Sequence, residues 1–104
     1  MAGPARAGLF VYAKDATRTA RFYEAVTGMH RLHETAELIV LESPDIQLVV
    51  HAIPERYARE IDITEPPQRR EEAACKFFFS VASLDAARSA AARHGGAVFD
   101  DTWQ

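Results

Sequence analysis

One phrase occurs twice in this chain. Residues 15–20 read DATRTA, residues 85–90 read DAARSA, and Val11 and Val81 extend the match to V-x-x-x-D-A-x-R-[ST]-A. A phrase repeated at this distance points to a fold assembled from two copies of one supersecondary unit. The residues around each copy agree. Leu9, Val11 and Ala13 alternate with Phe10 and Tyr12, which predicts a strand with two differently decorated faces. Asp15 then offers an N-cap oxygen, and Ala16, Thr19, Ala20, Tyr23 and Val26 recur at helical spacing. Gly28 supplies a left-handed stop. The second copy runs in the same order, with KFFFSVA (76–82) as a strand, Ser83 as an N-cap, an Ala-rich helix over 84–94 and the stop Gly95-Gly96. Asp15 and Asp85 are thereby expected at the start of their helices, where a carboxylate meets free N–H groups and the positive dipole end, with Arg18 and Arg88 on the exposed side.

The two copies differ downstream of their helices. Residues 29–35 (MHRLHET), 37–43 (ELIVLES) and 46–52 (IQLVVHA) read as three strands, with the turn Ser43-Pro44-Asp45 between the last two. Module one, residues 8–52, is therefore βαβββ. Residues 53–75 read as a linker: PERYAREI can form a short helix with Pro54 in its first turn, Pro66-Pro67 break regular structure, and QRREEAA is a solvated run. Module two, residues 76–104, has room after its helix for one strand only, 97–101. Two further strands beyond Gln104 are the expectation, because a sheet ending at 97–101 would expose an unpaired edge. The fold class expected is α+β in one domain, residues 1–104, with a mixed sheet from tandem βαβββ modules of which the second is incomplete. A ferredoxin-like α+β domain would share part of that element order.

Composition narrows the function. With 48% hydrophobic and 26% charged residues, 104 residues support an ordinary globular core. A net charge of −3 gives no basic footprint for nucleic acid. No apolar run reaches the roughly 20 residues of a membrane helix, and the first ten residues lack a signal-peptide core. Cys75 is the single cysteine, so no internal disulfide forms, an unreactive thiol is the default and a cytoplasmic protein is expected. No nucleophile elbow, P-loop or paired-cysteine motif is present.

The stretch FVYAKDATRTARFYEAVTGM, with Phe22-Tyr23 on its helix and Gly28 before the second strand, resembles the usual opening of the vicinal-oxygen-chelate superfamily. That group includes glyoxalases, bleomycin-resistance proteins and extradiol dioxygenases. KFFFSVASLDAARSAAARHGGAVF is similar to its second module, so the likeness covers residues 8–52 and 76–101. The resemblance implies two modules forming a U-shaped sheet around a cavity, commonly in a homodimer. It also implies metal ligands on the first and fourth strands of each module. Carried onto this chain, those positions fall on Gly8, Lys76 and Gln47. Gly8 has no side chain and a protonated Lys76 donates rather than ligates, which leaves Gln47 alone. A cavity without a metal or other cofactor is the expectation.

Strand alternation then nominates the lining. Phe10 and Tyr12 share one face of their strand, Gln47, Val49 and His51 one face of theirs, and Lys76, Phe78 and Ser80 one face of the strand that opens module two. Aromatic walls with a few polar groups suit a small organic ligand. His30 and His33 are an odd number apart on a strand and are expected on opposite faces; His94 suits the negative end of its helix dipole. These residues are compatible with three functions. One is a metal-free binding protein. The second is a lyase or dioxygenase of the same superfamily, metal-dependent or using His51 and Tyr12 as acid–base groups. The third is an inactive scaffold kept for dimerisation.

Overall fold

The alternation over the first strand is realised as β1 (Gly8–Ala13), and Asp15 caps the next element, α1 (Ala16–Thr27). The structure is a computed structural model, and it describes residues 5–64, 74–75 and 78–98. The Asp15 carboxylate accepts the Arg18 backbone N–H at 3.0 Å, as an N-cap oxygen should. At the other end Gly28 takes φ 76°, and its N–H donates to the Glu24 carbonyl at 3.0 Å. A side chain there would meet the left-handed penalty that glycine avoids.

Three strands complete the first module: β2 (His30–Glu34), β3 (Leu38–Glu42) and β4 (Gln47–Ala52). Their spatial order is β1-β4-β3-β2. β1 runs parallel to β4, and the other two pairings are antiparallel, so the sheet is mixed. A parallel neighbour needs a crossover, and α1 with the β2–β3 hairpin provides it. The turn into β4 is closed by the Ser43 N–H donating to the Ile46 carbonyl at 3.0 Å.

One face of this sheet carries the core. Ile39, Leu41, Leu48 and Val50 are buried on the two central strands, and Ala20 and Tyr23 of α1 pack against them. The third helix, α3 (Leu84–Arg93), lies against α1 through an Ala-rich surface; Ala87, Ala90 and Ala91 are buried. Alanine suits that contact because its small methyl side chain lets two helices approach closely. Phe79 packs on the core, 5.8 Å from the Tyr23 ring. Burial accordingly pushes the Tyr23 hydroxyl above the usual phenol range.

The segment expected as a linker is partly built into the fold. The Ile53 N–H donates to the Ala13 carbonyl at 2.9 Å, and α2 (Glu55–Ala58) starts from Pro54, whose carbonyl accepts the Tyr57 and Ala58 N–H groups. Ala58 is buried, and the Lys14 ammonium donates to the Ile61 carbonyl. Residues 65–73 lie outside the described residues.

Three expectations are corrected. First, residues 78–82 form no strand. β-rich sequence becomes a strand only when a neighbouring backbone pairs with it, and none does so among the described residues. Ala97 and Val98 are likewise outside any strand, and the rest of the expected 97–101 strand lies outside the described residues. Second, the two Asp residues are not structural equivalents. Ser83 caps α3 as expected, its hydroxyl accepting the Ala86 N–H at 3.1 Å, and Asp85 lies in the first turn as expected, but Asp85 pairs with Arg88 at 3.3 Å whereas Asp15 is itself the N-cap. Arg88 itself is half-buried rather than exposed. Third, β2 carries a bulge. His30 pairs with Glu42 and His33 with Val40, so the register shifts by one residue between Arg31 and His33. The extra residue restores the phase, and the two histidines share one face instead of opposing each other.

Candidate functional site

The face of the sheet turned away from α1 is assembled by register alone. Gly8 stands beside Gln47, which stands beside Glu42, which stands beside His30. The next row is Phe10, Val49, Val40 and His33, and the third is Tyr12, His51 and Leu38. A side chain on one strand shares a face with its direct partner on the next, so all eleven residues belong to one surface. Its rim on β1 is open: Phe10 is 60% exposed and Tyr12 66%. Val49, Val40 and Leu38 at its centre are half-buried, and so are Gln47 and His51.

Two polar groups on this surface are held in defined orientations. The His51 ring meets the Tyr12 ring with centroids 5.6 Å apart and planes tilted by 49°. His51 Nδ1 lies 2.8 Å from the Ala52 carbonyl. A carbonyl can only accept, so this bond puts the proton on Nδ1 and leaves Nε2 as the basic atom. Gln47 is fixed differently. Its Nε2 donates to Glu42 Oε1 at 3.2 Å, and the Ala5 N–H donates to the same oxygen at 3.1 Å. The bond from Ala5, and then that from Gln47, hold the Glu42 carboxyl below the usual carboxylate range.

Beneath the opposite face, Arg31 reaches α1. Its guanidinium donates to both oxygens of Glu24, at 2.5 and 3.1 Å, and to Glu34 at 3.0 Å. Arg31 pairs with Leu41, a helix-side residue, and this ties the bulged edge strand to the helix.

Five of the eight lining residues expected from the sequence, Phe10, Tyr12, Gln47, Val49 and His51, therefore lie on one surface. Phe78 and Ser80 are both exposed, but with no strand over 78–82 no ladder aligns them with Tyr12 or Gln47, so the shared strand face expected for them is not formed. Lys76 lies outside the described residues. Glu42, Val40, Leu38, His30 and His33 were not foreseen. The turn at 43–46 carried a usable signal for Glu42: a hairpin closed there sets Glu42 opposite Gln47, and alternation from Glu42 reaches Val40 and Leu38. The histidines depend on the bulge, which MHRLHET does not announce.

Among the described residues, no three His, Cys, Asp or Glu side chains stand close enough together to hold a metal ion. Gly8 stands beside Gln47 and contributes no side-chain donor atom. No helix among the described residues is long and apolar enough to cross a membrane. Comparisons of the chain with protein-family models, with curated proteins and with solved structures give no match.

Proposed function

We propose that the open face of the sheet is one wall of a cavity for a small organic molecule, and that the chain is a metal-free binding protein of the vicinal-oxygen-chelate type. The observation that carries this reading is the contrast between the two faces. One is packed by α1 with aliphatic side chains. The other keeps Phe10 and Tyr12 in solvent beside the oriented polar groups of Gln47 and His51. Large aromatic surface left open next to a few fixed hydrogen-bonding groups is how ligand sites are built. Within this proposal residues 76–104 are the second module, and a second copy of the chain in a homodimer covers what the first module leaves open. The repeated phrase and the βαβββ order of residues 8–52 support the family assignment.

A second reading has its own observation. The bond from His51 Nδ1 to the Ala52 carbonyl leaves Nε2 able to take a proton, with the Tyr12 ring in contact. That suits an acid–base step on a bound substrate, with His51 as base.

A thermal-shift screen of small aromatic carboxylic acids and phenols tests the main reading. Compounds that raise Tm for the wild type are expected to lose most of that effect in Tyr12→Ala and Gln47→Ala, with affinity about tenfold weaker, or ~1.4 kcal/mol. Stabilisation of equal size in both variants would place the ligand elsewhere.

A further inference from the structure

Hydrogen-bonding polarity on the open face narrows the class of molecule it can hold. The three rows of that face hold one carboxylate, that of Glu42, and neither lysine nor arginine. The bonds from Ala5 and Gln47 hold this carboxyl below the usual carboxylate range, which keeps it ionised at neutral pH. A carboxylate ligand therefore finds no fixed cation within the rows, and only a histidine can supply one. His51 is placed to do so. Its Nδ1 directs a proton to the Ala52 carbonyl, so the neutral ring offers a ligand the Nε2 lone pair. That atom accepts a hydrogen bond from a hydroxyl and repels a carboxylate. The imidazolium does the reverse.

The groups around His51 leave it in control of that change. Tyr12 on β1 is in ring contact, and Leu38 on β3 is apolar. Past the ends of those strands come Lys14, whose ammonium donates to the Ile61 carbonyl, and Glu37, whose carbonyl accepts the Ala52 N–H. On the same face His33 stands one row away on β2. Glu42 and His30 stand two rows away, roughly 13 Å along the strands. Of these neighbours, only the two other histidines belong to a residue type that ordinarily changes charge between pH 5 and 8.

We propose that His51 sets the ligand class of the open face: with Nε2 unprotonated the face takes a phenol through its hydroxyl, and with Nε2 protonated it takes an aromatic carboxylate instead. The inference rests on the binding function proposed above and adds the residue that chooses between the two classes. Phe10 and Tyr12 offer both ligands the same exposed aromatic surface, so the difference lies in one hydrogen bond. In the first state the phenol O–H donates to Nε2. In the second the Nε2–H donates to the carboxylate, and the bond is strengthened by charge on both partners.

The test is a set of amide chemical-shift titrations of the full chain with phenol and with benzoate, at about pH 7.5 and about pH 5.5 and constant ionic strength, a range that spans ordinary imidazole titration. Phenol stays neutral and benzoate stays ionised at both values. Apparent affinity scales with the fraction of protein in the competent state, so the preference for benzoate over phenol should rise at least about fivefold at the lower pH. His51→Gln keeps a polar side chain without its titration and should show one preference at both pH values. The double variant His30→Gln/His33→Gln should keep the wild-type rise. An unchanged preference in the wild type, the same rise in His51→Gln, or loss of the rise in the double variant overturns the inference and leaves the binding surface standing. Absence of saturation by either ligand at Phe10, Tyr12, Gln47, Val49 and His51 defeats the function proposed above, and this inference with it.

Discussion

Gln47 shows how one side chain can link the fold to a site. It begins β4, stands beside Gly8 on one side and Glu42 on the other, and donates to Glu42 Oε1. Part of the lowered Glu42 pKa therefore belongs to Gln47 and the larger part to the Ala5 N–H. Gln47→Leu is expected to move the Glu42 pKa partway back towards the ordinary value of about 4.3. A carboxyl carbon titration by NMR reads this directly, and an unmoved Glu42 would show that the amide bond does not persist in solution. The same shift sets the sign for stability. A carboxyl with a depressed folded pKa contributes stability above its unfolded pKa, and that contribution is lost as the pH falls through the folded value. Acid unfolding of Gln47→Leu should therefore show a smaller contribution from Glu42 than the wild type.

At the scale of elements, the repeated phrase makes a sharper test. Equivalent copies would make Asp15 and Asp85 equally important. The helix starts say otherwise, since α1 is capped by Asp15 and α3 by Ser83. Asp15→Ala and Ser83→Ala should each cost about 1 kcal/mol in urea unfolding, and Asp85→Ala clearly less. Equal losses for the two Asp variants would contradict these caps. Much at this scale was legible in the sequence. Strands over 30–34, 38–42 and 47–52 and the helix from Ala16 arise from alternation, a cap and a glycine stop, signals that are local and strong. What stayed illegible depends on partners. The strand expected over 76–82 needs a neighbouring backbone that sequence cannot supply. The bulge in β2 sets Arg31 beside Leu41 on the helix side, where it bonds Glu24, and alternation along MHRLHET does not announce it. The site inherited this pattern: Phe10, Tyr12, Gln47, Val49 and His51 were legible from alternation, and the histidines beyond the bulge were not.

For the whole molecule, the two faces of the sheet set the expected behaviour. A helix-packed side with Leu41, Leu48 and Val50 fully buried anchors the module, and the aromatic side remains available. Exposed apolar surface of this kind marks an interaction site more often than an idle one. If a second copy completes the cavity, sedimentation equilibrium should give twice the 11.6 kDa of one chain at micromolar concentration. A monomer mass across that range would remove the homodimer from the proposal and leave the surface itself to be tested. That surface is the central claim, and an amide chemical-shift map of the protein with the best-stabilising aromatic acid tests it most directly. The account predicts saturable shifts at Phe10, Tyr12, Gln47, Val49 and His51, with little change on α1. Saturable shifts confined to the helices, with those five amides unmoved, would contradict it.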